Sequence, residues 1–116
     1  MEEFDVCWDI MAGKDLDQIF DYLQKNASEN VARTVKKAIV TAADGLRTNP
    51  GRFPLEKLLV HTGKNIRFIK VGNYKVTYQF TGRESIILRI YHTKRDPSKM
   101  LKDLRWSGFS FLAQNC

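Results

Sequence analysis

Three short alternating runs between Ile66 and Asp96 constrain this chain more than anything else in it. In IRFIKVGNYKVTYQFTGRESIILRIYHTKRD, Tyr74, Val76, Tyr78 and Phe80 alternate with Lys75, Thr77 and Gln79, the period of a half-buried strand. Gly72-Asn73 separates two such runs and reads as a two-residue hairpin, since glycine accepts positive φ. Such a hairpin pairs Val71 with Tyr74, Ile69 with Val76 and Arg67 with Tyr78, so Ile69, Val71, Tyr74, Val76, Tyr78 and Phe80 share one face. An odd-numbered loop around Thr81–Glu84 would bring Ile86, Leu88 and Ile90 to that same core face. Ile87, Arg89 and Tyr91 would then stand with Lys70 and Lys75 on an open face, and a one-residue slip would invert the strand. An open face with three cations and an aromatic is either a plain solvated face or an anion-binding one.

Two helices precede these strands. Phe4–Trp8 reads as a first strand, and Asp9 as the N-cap of a helix whose stripe is Ala12, Leu16, Ile19, Phe20 and Leu23. Asp15, Asp17 and Asp21 fall off that stripe, which predicts solvated carboxylates. Ser28 caps a second helix with the stripe Val31, Val35, Ala38, Ile39, Ala42 and Leu46, stopped by Asn49-Pro50-Gly51. Residues 50–64 are a connector carrying Phe53, Leu55, Leu58 and Leu59, and the isolated His61 in it reads as a surface or packing histidine. Pro97-Ser98 starts a short C-terminal helix with Met100, Leu101 and Leu104 on its apolar side. Trp106, Phe109, Phe111 and Leu112 follow without an evident place in the core.

The expected fold is therefore α+β, in the order β-α-α-β-β-β. A small antiparallel sheet carries a helical hairpin on one face. At 116 residues the chain forms one domain, 1–116, with 97–116 as its tail. No apolar run approaches the roughly 20 residues of a membrane span. The acidic start, MEEFDVCWDI, lacks the basic and apolar regions of a signal peptide, so a cytoplasmic location is expected. Cys7 and Cys116 form neither a disulfide scaffold nor a metal spacing, and Cys7 reads as a small buried hydrophobe. No motif for a metal or cofactor is present, nor a serine-hydrolase or zinc-protease pattern.

The net charge of +6 is unevenly distributed. Residues 1–60 hold 8 Lys and Arg against 10 Asp and Glu, a balance of −2; residues 61–105 hold 11 against 3, a balance of +8. The half with the strands thus attracts a phosphate backbone or an acidic protein.

Taken in order, these motifs resemble the RelE/ParE superfamily of toxins from bacterial type II toxin–antitoxin, or plasmid stabilisation, modules. The resemblance rests on Ala12, Asp15, Leu16, Ile19, Tyr22 and Leu23 in the first helix and on Leu46-x-x-Asn49-Pro50. It continues through Arg67, Gly72-Asn73-Tyr74-Lys75-Val76-x-Tyr78 and Arg89-Ile90-Tyr91-His92-x-x-Arg95-Asp96. It covers about Val6 to Asp96 and implies a growth inhibitor neutralised by a cognate antitoxin in a hetero-oligomer. Some members cut mRNA on the ribosome, whereas ParE-type members poison DNA gyrase without being nucleases; a module that has lost toxicity and only associates with antitoxin and DNA is a third reading.

The nuclease reading, placed first, implies His92, Arg95 and Lys75 as catalytic residues, with Arg89, Lys94, Tyr91 and Lys70 binding RNA. Such chemistry needs a base for the 2′-hydroxyl, cations for the phosphorane and an acid for the leaving oxygen. Two departures point the other way. Lys75 stands where those members usually carry arginine, and Phe53 precedes Pro54-Leu55 where some carry a glutamate, with Glu56 nearby. Strict alternation from Ile90 also turns His92 toward the core side.

Overall fold

A computed structural model describes residues 3–102. The elements run β1 (Asp5–Trp8), α1 (Ile10–Asn26), α2 (Glu29–Asp44), β2 (Ile66–Val71), β3 (Tyr74–Phe80), β4 (Glu84–His92) and α3 (Pro97–Leu101). Short 3-10 turns occupy Gly45–Arg47 and Lys57–Thr62. The sheet has the order β1-β4-β3-β2. β2, β3 and β4 form the expected antiparallel meander, and β1 adds to it as an edge strand, parallel to β4.

Local chemistry sets the element ends as the sequence predicts. The Asp9 carboxylate accepts from the Met11 N–H at the start of α1, and the Ser28 hydroxyl from the Val31 N–H at the start of α2. Gly72, at φ 58°, supplies the left-handed residue of the β2–β3 turn, and Ile69↔Val76 and Arg67↔Tyr78 pair as the two-residue loop requires.

β4 departs from simple alternation. Phe80 pairs with Ser85 across four intervening residues, which turns Ile87 rather than Ile86 to the helix side. A register shift between Thr77 and Tyr78 then skips Leu88, so Ile90 returns to the helix face opposite Val76. Ile86 and Leu88 accordingly lie on the second face, not on the face expected for them.

The second face is also not open. Against the helices, Val6, Leu16, Ile39, Leu46, Ile69, Val76, Tyr78, Ile87 and Ile90 form one buried cluster. Across the sheet, Ile66, Ile86, Leu88 and Tyr91 are covered by Leu59 from the connector and by Met100 and Leu101 from α3. Cys7 is fully buried there as well. The connector holds the β2 edge through the Phe68 N–H to the Pro54 carbonyl and the Glu56 N–H to the Ile66 carbonyl. Val31 is exposed despite its place in the α2 stripe, while Ala32 and Ala43 are buried. The expected roles of Leu104, Trp106, Phe109, Phe111, Leu112 and Cys116 concern positions outside the described residues. No helix among those described is long and apolar enough to cross a membrane.

Candidate functional site

At one end of the sheet the β2–β3 hairpin meets the turn that follows β4. The Thr93 N–H donates to the Asn73 carbonyl at 2.8 Å, and the Arg95 N–H to the His92 carbonyl at 2.9 Å. Asp96 closes the turn by accepting from the Ser98 N–H and hydroxyl, which caps α3 and holds the Asp96 carboxyl below its ordinary range. Lys70, Lys94 and Arg95 are exposed at this junction, and Lys99 and Lys102 are exposed on and just past α3, which follows it. Among the described residues none of the five belongs to a salt bridge.

Lys75 is different. It lies half-buried on the second face, where its Nζ meets Glu56 Oε1 at 2.7 Å and sits 4.1 Å from the centre of the Phe68 ring. Glu56 is buried, and its other oxygen accepts from the Leu58 N–H, so it caps the second 3-10 turn while neutralising Lys75. Thr77 and Tyr91 are buried beside this pair, with the Tyr91 hydroxyl close to Thr77 and Lys75. Burial pushes the Tyr91 phenol up, with the nearby Lys75 charge opposing it. Tyr91 is thus an interior residue, not an exposed platform on which a base could stack.

Arg89 is likewise not a cation of an open face. Its Nε and Nη2 donate to the two Asp15 oxygens at 2.8 and 3.0 Å, and its Nη1 donates to the Met100 carbonyl at 2.9 Å. Asp15 Oδ2 also accepts from the Ile90 N–H, which lies past the point where β1 stops shielding the β4 edge. Asp15 is therefore buried at 7% exposure rather than solvated. A guanidinium and a carboxylate this deep are tolerated only because each satisfies the other. One pair fastens α1, β4 and α3 together.

His92 stands opposite Tyr74 in the register, on the helix side of the sheet, with their ring centres 5.3 Å apart. Its Nδ1 accepts from the Lys94 N–H at 3.0 Å. Lys75 pairs with Tyr91 on the other face. The three residues expected to share a catalytic centre are therefore not brought together: His92 faces the helices, Lys75 is committed to Glu56 across the sheet, and Arg95 lies in the exposed turn. What the sequence reading missed is Asp15 as the partner of Arg89, and Glu56 as the partner of Lys75. Glu56 before Leu58-Leu59 carried a capping signal; Asp15 carried none.

The junction can attract an anion but holds no acid–base pair around a common point. No cluster of three or more metal-ligating side chains occurs among the described residues. Residues 7–97 match the profile of the family described as ParE toxin of type II toxin-antitoxin system, parDE. Among solved structures the chain is similar to one titled "Chromosomal ParDE TA system from P. aeruginosa", at 21% identity and a TM-score of 0.66, over 78% of this chain and 96% of that one. No curated protein matches the chain.

Proposed function

The chain belongs to the family of ParE toxins of type II toxin–antitoxin systems, and we propose that it arrests growth as a non-catalytic inhibitor of DNA gyrase, held silent by a cognate antitoxin. The observation that carries this choice is the placement of His92 and Lys75 on opposite faces of the sheet, with Lys75 neutralised by Glu56. Cleavage of mRNA would need a base and phosphate-stabilising cations around one phosphate. A toxin that acts by binding needs only a stable scaffold and an exposed surface, and the doubly covered sheet with its cationic end supplies both. The antitoxin of this reading is an acidic, amphipathic segment, suited to the +8 balance of residues 61–105, and the two proteins meet in the bacterial cytoplasm.

Induced expression with pulse-labelled DNA and protein synthesis tests the reading. DNA synthesis should fail first, with messages intact, and His92→Ala should remain toxic. Early collapse of protein synthesis with cut messages, relieved by His92→Ala, would establish the nuclease instead.

A further inference from the structure

Among the described residues, the five exposed cations form no salt bridge that holds the fold together. Lys70 ends β2, Lys94 and Arg95 occupy the turn after β4, and Lys99 and Lys102 lie on and just past α3. Of the acidic groups near them in the chain and the register, Asp96 caps α3 and Glu56 is bound to Lys75, while Asp103, next to Lys102, lies outside the described residues. Between the cations lie Gly72, Asn73, Thr93 and Ser98, all exposed. Among the described residues this surface lacks the apolar centre on which a stable protein interface is built. It offers instead charge and short polar groups, the chemistry that contacts a phosphate backbone without reading bases.

We infer that this end of the sheet binds the phosphate backbone of duplex DNA without sequence preference, so that the toxin engages gyrase together with the DNA it holds. The inference rests on the gyrase reading above for its biological setting, but the contact itself does not require the enzyme. β2 and β4 flank β3, so their ends lie roughly 10 Å apart at ~4.8 Å per strand spacing. A duplex carries one charge per about 1.7 Å of axis, so several phosphates fall within that width. Lys75 is excluded from the contact by Glu56, and Arg89 by Asp15.

Fluorescence anisotropy of a labelled random-sequence duplex, titrated with the full-length chain over a salt series, tests this. Affinity should fall steeply with salt, and the double variant K94Q/R95Q should reduce the slope of log K against log salt by about 2, roughly one per lost phosphate contact. The charge-matched pair R33Q/K37Q on the exposed side of α2 should leave the slope unchanged. Equal loss in both double variants, no salt-dependent binding, or binding only to a polyglutamate peptide or to single-stranded RNA would overturn the inference. Supercoiling by purified gyrase, measured on the same proteins, separates the two claims. Inhibition that survives in K94Q/R95Q with DNA affinity lost removes the DNA contact from the engagement of gyrase and leaves the gyrase reading standing, whereas intact DNA binding without inhibition removes the gyrase reading alone.

Discussion

A guanidinium buried against a carboxylate is stable only while both are present. Arg89→Met leaves the Asp15 carboxylate and the Met100 carbonyl buried with fewer donors, and should cost about 3–5 kcal/mol in denaturant unfolding. The double variant Asp15→Leu/Arg89→Met should recover part of that loss. Were Arg89 a contact to the toxin's target, the single variant would lose activity at unchanged stability. Tyr78 makes a second, pH-dependent prediction. Its phenol is fully buried and donates to the Pro50 carbonyl, and burial pushes its pKa from 10.0 to about 12. The folded state therefore prefers the neutral phenol. Its contribution is complete below pH 10 and should be lost as pH rises toward about 12, a decline that Tyr78→Phe should remove from the alkaline unfolding curve.

At the scale of elements, the Glu56–Lys75 pair ties the connector to the second face of the sheet. Lys75→Met leaves a buried carboxylate, so hydrogen exchange across Lys57–Thr62 should speed up by tenfold or more, while Glu56→Gln/Lys75→Met should be milder. Unchanged protection in Lys75→Met would mean the pair does not hold the strap. The same elements show what the sequence could and could not announce. The β2–β3 register followed from Gly72-Asn73 alone, because a two-residue loop leaves no freedom. The faces of β4 did not, because Ile86, Ile87, Leu88 and Ile90 are all apolar and a strand covered on both sides has no alternation to read. Its bulge at Leu88 restored Ile90 to the expected face and left Ile86 and Leu88 on the other. The Arg89–Asp15 contact spans 74 positions of sequence, beyond any local pattern, and Asp15 lay just off the stripe that marked the buried side of α1.

For the molecule as a whole, both sheet faces are used for stability: the helical hairpin covers one, the connector and α3 the other. The rim's cationic end is where Lys70, Lys94 and Arg95 are accessible. Fold and charge fit the proposal made above of a toxin that works by occupying its target. The most direct test is to add the purified chain to gyrase and relaxed plasmid, and in parallel to a translating ribosome system. The account predicts that supercoiling stops, or enzyme-linked breaks accumulate, in proportion to toxin, while messages stay whole. Unaffected gyrase with messages cut on the ribosome would contradict it, and would require His92, Lys75 and Arg95 to converge in a way that their positions on opposite faces do not allow.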